Sequence, residues 1–504
     1  MTRVDVESIT LKFADESSVG VLPGSPIWHE AEPDDIPQSG AEITLTARNP
    51  MSKNRQEQEP IVTDEDSGVE YVTDATMTSM MLWLDKFMYA QYTNWDLIWR
   101  GIVVAATGYT IPAASANQAG KVQWAAGGVE SLFFARGYAT AANNGIKVIT
   151  ADLGAAGTEL TVSGLTAEAV PPANARVDIA GARFSTSDLA LTVSGTTATL
   201  VSAADIADWS TLGLFAGQEI HVGGLTASEQ FSAGAGPARI ASISGATLNL
   251  DKIDPDLLTD PGTGDTVDIL FGQFVRNVAV DANADGTRYQ DTTQHSEISY
   301  PRSGTTTFYQ YNAGLSANSI QLDVPLTDKV VMTVGMIGTT ADDLTVTQKA
   351  TGTLIQPVAK TAFNTGANIA NLRTDAIATA DAVCFKSLSI TMTNNGSPEK
   401  CLGTQGATNV NVGKFNLILE AQAWLTGLDM VNAIKGNTTV TMDWQFINAQ
   451  GAIAFDLPSV KLGGGGKEFP RNQTVLINTT ARAFEDATFG HSIGISTFAA
   501  YPTA

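Results

Sequence analysis

A chain of 504 residues exceeds one ordinary domain and predicts two or three. Hydrophobic residues make up 43%, punctuated by 46 glycines and 19 prolines, a profile of turn-rich all-β proteins that excludes a disordered or fibrous chain. With 29 basic against 52 acidic residues the formal charge is −23, which excludes tight nucleic-acid binding by phosphate neutralisation.

The opening MTRVDVESITLKF has no basic stretch followed by an apolar core, so no signal peptide is expected. No apolar run reaches the ~18 residues that predict a membrane span. Ile43 and Leu45 predict a short strand. Arg48 to Val72 is charged and lacks apolar periodicity, which predicts a long loop or extended hairpin. Arg48, Lys53 and Arg55 fall on its first arm, and Glu57, Glu59, Asp64, Glu65, Asp66 and Glu70 on its second. The plain reading is a solvated loop; the sharper one is that opposite-charge halves dock one subunit head to tail on the next. Met77, Met80, Met81, Leu84, Phe87 and Met88 then recur at helical spacing, with Asp74 or Thr76 as cap and the methionines as core filler.

From Gly120 to Phe274 basic residues thin out and short strand-like runs dominate. Ser131 to Gly164 and Glu219 to Lys252 read as related strand–turn–strand units, with Asn144-Gly145 as a tight-turn signal. They predict one or two small β-barrel or sandwich modules inserted into a host domain, dividing the chain into 1–119, 120–274 and 275–504. Beyond the insert, Ile320, Leu322, Val324 and Leu326, then Val330, Met332, Val334 and Met336, alternate with period two, the mark of half-buried strands. Leu388, Ile390 and Met392 repeat the pattern, and Lys414 to Leu425 is another strand. LDMVNAIKGN predicts a short helix stopped at Gly436. The last strands centre on Trp444, Val475 and Ile493, with Asn448 to Gly451 as a hairpin turn.

No motif supports an active site. Asp281, Asn283, Asp285 and Gly286 open like a calcium loop, but Thr292 stands where the bidentate Glu is required, so a polar turn is expected. Gly490-His491-Ser492-Ile493-Gly494 spells a nucleophile elbow in a context that predicts strand rather than helix. Gly463 to Gly466 with Lys467 lacks the flanking residues of a phosphate loop and reads as a flexible loop. His29, His221, His295 and His491 are scattered and read as surface or edge residues. Cys384 and Cys401 read as two buried thiols of a reducing compartment. No metal and no cofactor is expected.

The sequence blocks Phe271 to Asp281, Thr305 to Gly338, Thr438 to Leu462 and Ala481 to Phe498, in that order and with the helix after the long loop, resemble the major tail tube proteins of long-tailed (siphovirus-type) bacteriophages. The resemblance implies a mainly β fold: a tail-tube β-sandwich or barrel with a flanking helix, carrying small immunoglobulin-like or barrel-like additions outside. It implies hexameric rings that stack into a DNA-conducting tube with a continuous β-barrel wall, bridged by the loop Arg48 to Glu70 and the N-terminal segment. It also implies a virion protein made in the host cytoplasm, not an enzyme. Its partners would be other copies of itself, the tape measure protein, the tail terminator and distal tail proteins, with double-stranded DNA only in transit. Competing expectations are a decoration or sheath-like virion component, a surface adhesin or carbohydrate binder, and a hydrolase with β accessory modules.

Overall fold

The computed structural model describes residues 4–48, 51, 53, 56, 58–92, 99–110, 129–149, 159–280, 289–302, 306–349, 351–375, 385–425, 427–472 and 474–502. Two apolar cores organise them.

The first core lies inside a sheet network that folds over one helix. Its strands are β1 (Thr10–Asp15), β2 (Ile27–Ala31), β3 (Pro33–Ala47), β4 (Pro60–Asp74), β5 (Gln294–Tyr300), β6 (Phe308–Val324), β7 (Val331–Gly338), β8 (Phe385–Thr393), β9 (Asn416–Trp424), β10 (Thr439–Asn448), β11 (Gly451–Glu468), β12 (Leu476–Ala483) and β13 (Gly494–Phe498), with shorter strands between. The helix α1 (Met77–Met88) starts where Thr76 accepts from Ser79 N while Ser79 Oγ accepts from Thr76 N, a reciprocal cap. Of the two expected caps, Thr76 is used. Met77, Met80, Leu84, Phe87 and Met88 are buried, with Met81 packed at the margin. Trp83 is fully buried, donates to the Tyr71 hydroxyl and meets Phe13 edge-on at 4.8 Å. The methionine stripe is core, as expected.

The alternation seen in the sequence resolves into one antiparallel array, β3–β4–β7–β6–β8–β9–β12–β11. Ile320, Leu322, Val324, Met332, Val334, Met336, Leu388, Ile390, Met392, Leu417 and Leu419 turn to the core. Gln321, Thr333, Ser389, Thr391, Thr393, Asn416 and Gln422 turn away from it and stay partly exposed. Leu326 breaks the expected alternation: it sits past the end of β6, in the turn to β7, and is 55% exposed. The helix α2 (Asp429–Lys435) ends at Gly436, and the β10–β11 hairpin closes with Asn448 opposite Gly451, both as expected.

The second core gathers side chains from Ile102 to Phe271 under a ten-stranded sheet. The two units read as a repeat differ within it. Glu219–Val222, Gly236–Ser244 and Thr247–Asp251 form a meander. Glu130–Arg136 pairs with Gly145–Ile149, but Glu159–Thr161 leaves that sheet to pair with Gly108–Thr110. Asn144-Gly145 is not a two-residue turn either: it ends a longer connection in which the Asn144 amide bridges Tyr138 N and O.

Ion pairs withdrawn from water join the two cores. Arg239 donates to Asp251 at 2.7 Å and to Asp456 at 3.0 Å, and Lys252 reaches Asp456 at 2.6 Å and Asp443 at 3.3 Å. Burial pushes the Asp456 carboxyl up, but Lys252 and Arg239 outweigh it and hold the group below its ordinary range. Arg136 donates to Gln450 O and Ala499 O, both at 2.9 Å. Gly217, at φ +90, lies so close to His491 that a Cβ would come within 2.6 Å of the ring, so the two surfaces interlock as well as pair.

Candidate assembly surfaces

The charged segment is part of the longest hairpin in the first sheet network. β3 and β4 pair from Pro33↔Thr73 to Ala47↔Pro60. β4 also pairs with β7, but only over Ser67–Asp74. Pro60–Asp66 therefore bonds to β3 alone, and a two-stranded ribbon continues past the sheet for about 23 Å at ~3.3 Å per residue.

This changes how the predicted charges divide. The first arm is β3, whose ionisable residues are Asp34, Asp35 and Glu42, all acidic. Arg48 and Lys53 lie beyond it at the ribbon tip, exposed. Glu59 is exposed just before β4, while Asp64, Glu65, Asp66 and Glu70 lie on β4. Arg55 and Glu57 fall outside the described residues, as do Cys384 and Asp281 to Asp285. The ribbon thus has a basic tip and acidic arms rather than one basic and one acidic arm.

The ribbon base is braced. Lys400, on the short hairpin of Ser397–Lys400 and Ala407–Asn411, reaches Asp64 and Asp66 at 2.6 Å each. The Lys400 ammonium, through hydrogen bond and charge, lowers the Asp64 carboxyl below its usual value. Glu65 accepts from Ala341 N at 3.3 Å, and Glu70 pairs in register with Gly335. Opposite the brace and beyond it, Ile43, Leu45, Ile61 and Val62 are 45%, 58%, 56% and 49% exposed. A lone ribbon with four such side chains in water is marginal unless something covers it. The sequence marked the charges and, at Ile43 and Leu45, a short strand, but not that these side chains stay exposed, because that depends on which elements pack against the ribbon.

The remaining sequence motifs fold into structure. His491 is buried, donates from Nδ1 to Phe489 O at 3.0 Å, and precedes β13, a strand. Ser492 donates to Asn277 at 3.2 Å, so no nucleophile elbow forms. Gly463 to Gly466 is the end of β11, paired with β12 through a bulge, and Gly464 and Gly465 take φ +80 and +89. It is a strand terminus, not a loop. The reading of the histidines as surface residues is corrected: His221, His295 and His491 are buried and only His29 is half-buried. Each of the three finds an acceptor, Gly223 O, Glu16 or Phe489 O, which makes burial tolerable. Cys401 is exposed, contrary to the buried-thiol expectation, because it begins the turn of the short bracing hairpin.

Among the described residues no cluster of metal-ligating side chains occurs, and no helix is long and apolar enough to cross a membrane. No curated protein matches the chain. The family model for phage tail tube protein matches residues 7–230 and 250–483, taking in strands of both cores, the ribbon and α1. The fold is mainly β with a flanking helix, and the chain belongs to the phage tail tube protein family, a structural component of the virion tail.

Proposed function

We propose that the subunit polymerises into stacked hexameric rings whose bore conducts double-stranded DNA in a siphovirus-type tail. The observation that carries this reading is the array from β4 to β12: one face sits on the core, and the other carries the partly exposed polar side chains Gln321, Thr333, Ser389, Thr391 and Gln422. An antiparallel sheet of this kind serves as a wall facing water. Its charged members Glu70, Asp323 and Glu420 are acidic, and Arg482 is the cation in register with Ile418 at its margin. Such a face repels phosphates, and DNA slides along it rather than sticking.

In this reading the ribbon of β3 and β4, with Arg48, Lys53, Arg55, Glu57, Glu59, Asp64, Glu65, Asp66 and Glu70, bridges neighbouring subunits or rings. The module of residues 120–274 decorates the tube exterior. Tape measure, terminator and distal tail proteins are the further partners that family membership implies, and the protein is made in the host cytoplasm. Negative-stain electron microscopy of the concentrated protein tests the reading. Hollow tubes or six-fold rings support it, and closed shells or contractile sleeves refute it in favour of another virion part.

A further inference from the structure

Two carboxylates face each other across the β10–β11 hairpin, where Asp443 and Asp456 are directly in register. Like charges opposite one another on neighbouring strands are destabilising, and both of these are withdrawn from water. Lys252 reaches both from the second core's sheet, with Nζ 2.6 Å from Asp456 Oδ1 and 3.3 Å from Asp443 Oδ1. The lysine, Asp456 and Asp443 side chains are 6%, 5% and 4% exposed. A salt bridge calls for one carboxylate, and Arg239 already serves Asp456 at 3.0 Å. Lys252 also stands at φ +48, in the left-handed region that a residue of its size rarely adopts. It follows directly on the strand Thr247–Asp251, so the strained residue lies where one core meets the other.

We propose that Lys252 and Asp443 close an intramolecular amide bond that fastens the second core covalently to the first. The ion pairs are the arrangement from which the bond forms. Lys252 and Arg239 hold Asp456 as a carboxylate, the form that takes up a proton and resists attack. Asp456 takes a proton from the Lys252 ammonium at 2.6 Å, and the freed lone pair attacks Cγ of Asp443. A C–N bond forms and one C–O bond of Asp443 breaks. Two protons leave Nζ in all, relayed by Asp456 to the departing oxygen, which goes as water; the third stays on the amide nitrogen. One ammonium and one carboxylate become a neutral amide and a water, with no other reactant, and Asp456 keeps its pair with Arg239. Holding two reacting groups in contact gives effective concentrations of about 10⁵ M or more when they are well oriented. The same exclusion of water protects the finished amide from hydrolysis.

Intact-mass spectrometry of the full chain, denatured after incubation near neutral pH, tests the bond. The expected species is lighter by one water and grows with time. Its tryptic digest contains a branched peptide in which Lys252, no longer cleaved, is joined to Asp443. Lys252→Arg keeps the cation but offers no amine to acylate, so its mass should equal that of its sequence. Asp456→Asn keeps the side-chain shape without the proton relay and should slow the bond about a hundredfold or more. An unaltered chain that retains its full mass through prolonged incubation overturns the proposal, whatever the variants do. A water loss that persists in Lys252→Arg, or that maps to ring closure at Asp285-Gly286, overturns it equally. A branch to Asp456 in place of Asp443, or an unchanged rate in Asp456→Asn, overturns the assigned roles.

Discussion

At the seam between the two cores, Arg239 and Lys252 meet Asp251, Asp443 and Asp456 with little access to water; on the ribbon, Arg48, Lys53, Glu42 and Glu59 stand in solvent beside four exposed aliphatic side chains. The seam joins the two cores, and in the proposed assembly the ribbon joins one subunit to another, yet the two regions are built in opposite ways. The seam's charges are paired with little access to water, so removing one member leaves its buried partners with less compensation. The ribbon's charges are hydrated and contribute little to the isolated subunit. A contact that must hold from the moment of folding is finished internally. The ribbon is left open in the subunit, its apolar groups exposed, as the proposed contact with another copy requires.

The sharpest way to break this comparison is Asp456→Ala. It leaves Arg239 with Asp251 and Lys252 with Asp443 as their remaining acidic partners and costs about 3 kcal/mol, read by chemical denaturation. A change below ~1 kcal/mol would place the seam in the same class as a surface pair.

Acid titration comes next. Burial among Phe274 and Phe489 pushes the His491 imidazole down from 6.5 to about 4. The folded protein keeps this ring neutral while the unfolded chain protonates it below pH 6.5. Its contribution is therefore complete above 6.5 and lost as pH falls towards 4, roughly 3 kcal/mol in all. Stability measured from pH 7 to 4 should slope less in His491→Gln than in the unaltered protein; equal slopes would show that the ring does not stay neutral. Glu16 acts at lower pH. Burial raises its carboxyl, but hydrogen bonds from His295, Gly314 N, Thr293 and Gly20 N outweigh that and hold it below 4.5, so its share is lost only below that value.

A smaller effect is expected at the helix cap. Thr76→Ala removes the acceptor for Ser79 N and costs about 1 kcal/mol in thermal unfolding, without touching the ribbon. The smallest lies on the ribbon. Lys400→Ala releases Asp64 and Asp66 but leaves subunit stability in chemical denaturation nearly unchanged, because both ion pairs are exposed. The same variant should lower tube yield, since the ribbon loses its brace. Unchanged yield would show that the β3–β4 pairing alone sets the ribbon's direction.

The strands from Phe308 to Gly338, from Ser387 to Asn394 and from Lys414 to Leu425, and the helix of Met77 to Met88, were legible because each buries one face against a core, and burial writes its period into the chain. The turn at Asn448 to Gly451 and the stop at Gly436 were legible because local backbone geometry selects those residues. The ribbon was legible as a charged long loop or extended hairpin after a short strand at Ile43 and Leu45, but its reach past the sheet was not, and Trp424, Leu428 and Phe469 looked like ordinary members of strands and turns. Tertiary structure decided that these three stay exposed, that Leu326 falls in a turn, that His491 is buried under Gly217, and that Arg239 crosses to Asp456, 217 residues away. Periodicity records which residues a local element hides from water. Which surfaces remain uncovered, and which distant charges meet, depends on how the elements pack.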